Sequence, residues 1–247
     1  MSINPVLPGT GPLRSPNGLS QAVVVMLGVV IAADLFSLVV GFDLHSAWGS
    51  LLSGSYDEAP DDSYERAESL YGVTGVMQIL TLVACAVVFV IWFHRVRGNA
   101  QTFAPDAHSK GPSWAVWGWI VPILSLWYPR RVALDIWTAS APEPHLALAR
   151  RASSGLINLW WALWLVSRAY GNLASRLYED AEDGAAIQQA LVVLMSSDVL
   201  DIVAAVAAIL VVRRITARQN EKVNGPALPA GGQQTGTPGS SLPGELR

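Results

Sequence analysis

Asp198 and Asp201 lie three residues apart inside the apolar run IQQALVVLMSSDVLDIVAAVAAILVV, residues 187–212. On a helix that spacing puts both carboxylates on one face, near the middle of the run. Two carboxylates so close in a medium of low dielectric do not both ionise readily and take up protons as a unit, which is the property a proton or cation relay needs. Their other use is to join helices, with Ser196, Ser197, Asn158 or the tryptophans as hydrogen-bond partners. Two more ionisable groups, Asp34 and Arg168, fall within apolar runs. Such groups are costly in lipid and usually face protein or water. Depth counted along the runs puts Asp34 just outward of its helix midpoint and Arg168 near the outer end of its own. A salt bridge between them is within reach of the long arginine stem, and its expected use is to hold register.

Little else in the chain is built for reaction chemistry. His45, His94, His108 and His145 are scattered with no HExxH-like spacing, and no nucleophile–base–acid set or phosphate loop is present. The single cysteine, Cys85, sits inside an apolar run, which leaves no disulfide framework and no cysteine metal site. The expectation is a protein that is not an enzyme and holds no metal or cofactor.

The elements that must position these groups are membrane helices. Half of the 247 residues (51%) are hydrophobic and only 14% are charged, which is unusual for a soluble chain. Spans are expected at about residues 19–42, 72–93, 153–170 and 187–212, since a helix needs about 20 apolar residues, roughly 17 at least, to cross the hydrocarbon core. The first run follows Arg14 but exceeds a secretory h-region in length and contains Asp34, so it reads as a retained signal-anchor helix. Residues 1–18 and 223–247, rich in Gly, Pro, Ser and Gln, read as disordered tails around a membrane domain at 19–222. The acidic stretch from Asp61 is expected to start a helix capped by Asp61 or Asp62 that leads into the second span.

The segment GPSWAVWGWIVPILSLWYPRR, residues 111–131, decides the topology. Lys and Arg in short loops stay cytoplasmic, whereas acidic residues count for little. Arg95, Arg97 and Lys110 precede the segment; Arg130 and Arg131 close it, Arg150 and Arg151 follow it, and Arg213, Arg214, Arg218 and Lys222 follow the last run. If the segment crosses, one basic stretch is outside. If it dips and returns, every basic stretch and both termini are cytoplasmic. Trp114 to Tyr128 is short for a span, Pro122 removes a backbone donor, and Trp114, Trp117, Trp119 and Trp127 suit the headgroup level. The expected fold is an all-α integral membrane protein of four transmembrane helices with a Trp/Pro-rich re-entrant or interfacial segment at 114–128. The alternative is five spans. The same tryptophans, with Arg130, Arg131, Arg150 and Arg151, form a candidate surface for anionic lipid. Trp160, Trp161 and Trp164 are expected to serve helix packing more than ligand binding.

WAVWGWIVPILSLWYPRR followed by DIWTAS, LWWALWL and VVRRITARQ resembles a family of multi-spanning proteins of high-GC Gram-positive bacteria, known as a domain of unknown function. The likeness covers about residues 70–220; Ser125 stands where asparagine is usual and Tyr128 where an arginine precedes the proline. It implies an integral membrane protein and brings no activity with it. The functional expectation is an accessory or interaction module of the cytoplasmic membrane, acting on lipid, a membrane partner or a second copy. A small proton- or ion-coupled permease or sensor built on Asp198 and Asp201 is the alternative. The basic stretch VVRRITARQ follows a span, so its charge is explained without nucleic acid.

Overall fold

In a computed structural model, residues 13–54, 63–105, 108–141 and 154–224 are described. Among them every regular element is helical: α1 (Asn17–Leu52), α2 (Ser63–Phe103), α3 (Trp114–Ile120), a 3-10 turn (Leu124–Leu126), α4 (Tyr128–Ala139), α5 (Gly155–Glu179) and α6 (Gly184–Asn224). Residues 1–12 and 225–247 of the expected tails, the cap expected at Asp61 or Asp62, and Arg150 and Arg151 lie outside the described residues, whereas Asn17 and Gly18 already open α1 and Val223 and Asn224 close α6.

Three helices, α1, α2 and α6, are long and apolar enough to cross a membrane. The 36 residues of α1 extend ~54 Å at 1.5 Å per residue, so each helix runs well beyond the apolar stretch read from the sequence. The 25 residues of α5 exceed the length a span needs, but Asn158, Ser167, Arg168, Asn172 and Arg176 interrupt its apolar character. Helix α1 packs along both α2 and α6, and α5 packs along α6, giving the order α2–α1–α6–α5. The outer face of α2 is left uncovered: Val73, Val76, Ile79, Leu80, Val83, Val87 and Ile91 are all exposed. Such an apolar stripe is suited to lipid.

Segment 114–139 sits at one end of this bundle. Helix α3 has seven residues and α4 twelve, both too short to cross. Val121 leaves the helix in an extended conformation (ψ 114°) directly before Pro122, as the proline ring demands of the residue it follows. The two short helices fold back on each other so closely that a Cβ on Gly118 would meet Tyr128 Cβ at 3.2 Å. They contact the C-terminal part of α2 and, through α4, also α5. The last carbonyls of α4 are capped from α6: Arg218 donates to Trp137 O (3.2 Å) and Lys222 Nζ to Ala139 O (2.7 Å), cations meeting the negative end of the helix dipole.

Two apolar clusters divide the interior. The larger joins Val23, Leu27, Phe89, Trp92, Val96, Ile136, Trp160, Val211 and Ile215 at the end that carries α3 and α4. The smaller joins Leu44, Ala67 and Leu191 at the other end, with Trp48, Tyr64, Tyr71 and Tyr178 against it. Between them lies a layer of polar side chains.

Candidate functional site

Asp34 stands halfway along α1, Gln78 on α2, and Asp198 on α6, each within an apolar stretch. Packing of α1 between α2 and α6 brings the three together. Gln78 Nε2 donates to Asp34 Oδ1 at 3.0 Å and to Asp198 Oδ1 at 2.9 Å. One amide thus bridges carboxylates from two other helices. Asp34 is 3% exposed and Asp198 7%, and the second oxygen of each, Oδ2, is buried without a well-formed hydrogen bond among the described residues. Hydroxyls line the layer on the side of the smaller apolar cluster: Thr74 Oγ1 contacts the buried Ser37 Oγ at 3.4 Å and donates to Tyr71 O at 2.7 Å.

Asp201, one turn further along α6, pairs with Arg168 of α5. The salt bridge expected between Asp34 and Arg168 is therefore not the one that forms. Depth along a helix fixes height in the bundle but not facing direction, and α1 and α5 pack on different sides of α6. The same face of α6 carries both aspartates, as their spacing required, yet they take different partners. Ser196 contacts the Tyr170 hydroxyl at 2.9 Å, Ser197 bonds within its own helix, and Asn158 accepts from Arg130 Nε at 2.9 Å, well away from the carboxylates.

The tryptophans divide into two sets. Trp117 and Trp127 are half exposed, and Trp114 packs on Tyr128 with ring centroids 4.8 Å apart. Trp119 instead turns inward: its ring meets Phe89, Phe93, Trp160, Trp161 and Trp164 edge-on or tilted, at 5.5 to 6.4 Å. It belongs to the packing that docks α3 on the bundle and not to a headgroup surface. Trp161 Nε1 donates to Leu126 O at 3.0 Å, pinning the 3-10 turn to α5. Among the exposed residues Trp117, Ile120, Ile123, Leu126 and Trp127 form an apolar arc, followed directly by Arg130 and Arg131.

A second polar network closes the end of the bundle that carries α3 and α4, and reading the sequence for charges did not reveal it. Asn99 Nδ2 donates to Arg14 O (2.8 Å) and Gln219 Oε1 (3.0 Å), while Arg14 N donates back to Asn99 Oδ1 (3.1 Å). Gln219 Nε2 reaches Val96 O at 2.9 Å and Ser140 Oγ at 3.3 Å. Arg97, assigned by sequence to a loop, lies within α2 at 1% exposure and donates to Gln101 Oε1 and Lys110 O. Gln78, Asn99 and Gln219 share one detectable signal: an uncharged amide within or just beyond an apolar helical stretch.

An all-helical bundle with three helices able to cross a membrane and a buried carboxylate–amide layer between them defines the class of protein. Within it, the chain belongs to the family described as a domain of unknown function (DUF4328), whose model matches residues 58–217. No curated protein and no solved structure matches the chain. Among the described residues no group of three or more His, Cys, Asp or Glu side chains could hold a metal ion.

Proposed function

We propose that the chain is a four-span protein of the cytoplasmic membrane, with α5 as the fourth span, both termini cytoplasmic, and residues 114–128 dipping into the inner leaflet. It works as an accessory module whose inner end engages anionic lipid. The observation that carries this reading is the exposed arc Trp117–Ile120–Ile123–Leu126–Trp127 on a broken segment, with Lys110, Arg130 and Arg131 beside it. Exposed tryptophans favour the headgroup level, and each basic residue near an anionic leaflet adds about 1 kcal/mol. The test is reconstitution with brominated lipids, which quench tryptophan by contact. Quenching should fall when Trp117 and Trp127 are replaced by Phe, and lipid carried through purification should lose its anionic enrichment in R130Q/R131Q. Unchanged quenching and lipid composition would remove the reading.

A small proton- or ion-coupled permease or sensor is the second reading, favoured by the buried carboxylates between the apolar clusters. Proton flux into proteoliposomes under an imposed potential, compared between wild type and D198N/D201N, tests it; equal flux would set it aside.

A further inference from the structure

The polar layer holds three carboxyl groups and one cation. Asp34 comes from α1, Asp198 and Asp201 from α6, and Arg168 from α5; Tyr71 and Gln78 face the layer from α2. Arg168 is taken by Asp201. Among the described residues the donors facing Asp34 and Asp198 are uncharged: Gln78 bonds to both, and the Ser37 hydroxyl stands beside Asp198. Their Oδ1 atoms bond to the same nitrogen and cannot be further apart than those two bonds combined. Ionised together, they would place two negative charges side by side in the bundle interior, while Arg168 is paired with Asp201. Burial of a charge without a counter-charge is among the costliest arrangements a protein can hold.

Among the described residues, each of the two carboxyl groups also has a buried oxygen without a well-formed hydrogen bond. These oxygens sit on side chains that are more than nine-tenths buried. We propose that Asp34 and Asp198 form a proton-binding site in the middle of the bundle, occupied at neutral pH, with Gln78 as the fixed donor that holds the pair together. Uptake requires no other reactant: an Oδ2 lone pair takes a proton from hydronium and leaves water, and release is the reverse. The occupant is a proton and not a metal ion, because Gln78 turns the hydrogen-bearing end of its amide toward both carboxylates and would repel a cation there. Two carboxylates are also fewer ligands than a cation needs once stripped of its water. Arg168 and Asp201, one turn further along, keep their own charges balanced and leave the pair's proton count free to change. This inference stands whether or not the lipid-facing end works as described above.

The deciding measurement is infrared difference spectroscopy of the full chain in lipid nanodiscs, reading the carbonyl stretch of a protonated carboxyl group, told from the lipid esters by its shift in heavy water. Surface carboxylates, with ordinary values near 4, are silent at neutral pH. Wild type should show the band at neutral pH, shifted in heavy water, and either D34N or D198N should lose half of it or more. Titration with sodium or potassium chloride at constant pH should leave it unchanged. Absence of the band in wild type overturns the proposal, and that result needs no folded variant. A band that survives in both folded variants belongs to another residue and overturns it equally. A band abolished by sodium or potassium would make the occupant a metal cation and overturn the assignment to a proton.

Discussion

Removing either member of the Arg168–Asp201 pair leaves the other charge facing the helices without its counter-ion. Both side chains are partly exposed, 37% and 21%, which reduces the effect relative to a fully buried pair. Arg168→Leu and Asp201→Asn are each expected to destabilise by about 1–2 kcal/mol. The double variant should cost less than the sum; thermal unfolding in detergent across the four proteins measures this, and strict additivity would mean the pair does not couple. His108, in the loop before α3, offers a pH test. Burial pushes its imidazole below the ordinary 6.5, outweighing the Ala100 carbonyl and Asp135, which pull the other way. The neutral ring therefore contributes stability that is complete above pH 6.5 and is lost as pH falls through the lower folded value. Between about pH 7 and about pH 5 wild type should lose more thermal stability than His108→Gln; equal losses would absolve the ring. Asp34, Asp198, Asp201 and Arg168 were all legible, because a charge inside an apolar run is conspicuous. Their pairing was not, since depth says nothing about facing, and Gln78 was missed because an amide carries no charge to draw notice.

At the scale of elements, the α1–α6 contact at the end that holds the smaller apolar cluster depends on a missing side chain. A Cβ on Gly184 would fall 2.7 Å from Trp48 Cζ3 and 3.2 Å from Leu52 Cδ2, so the first turn of α6 lies directly on the indole. Gly184→Ala should destabilise by about 1–3 kcal/mol through overpacking, visible as a lower unfolding temperature; no change would mean Trp48 simply swings aside. Trp119 tests the docking of α3. Its replacement by Ala removes the ring that five aromatic neighbours surround, at a cost of about 3–5 kcal/mol if the site cannot collapse. Proteolysis within 108–127 should then become faster while α6 stays protected. The break at Pro122 and the shortness of the segment could be read from the sequence. The inward turn of Trp119 could not, because an interfacial tryptophan and a core tryptophan look alike until the neighbouring helix is in place.

For the whole molecule, the backbone path places Gly111 and Thr138 at the same end of the bundle, on either side of the broken segment. With Cys85 replaced by Ala, cysteines at positions 111 and 138 should react with an impermeant thiol reagent from the same side of sealed vesicles. Reaction from opposite sides would require a fifth crossing. Composition alone told a membrane protein, and the basic segments suggested which ends face inward. What they could not supply was the order of packing, in which α1 touches α6 nearly as extensively as it touches α2. That order has a consequence for synthesis. The family match begins at residue 58, after α1 has ended, yet α1 supplies Asp34 and lies between α2 and α6. As the chain leaves the ribosome, α1 emerges before α2, and its other main neighbour, α6, emerges only after α5. Asp34 and Ser37 must therefore wait, half covered by α2, until α6 has been translated. A chain started at the family's own boundary would have nothing to place in that gap, and its α2 and α6 would be left with facing surfaces shaped for an absent helix.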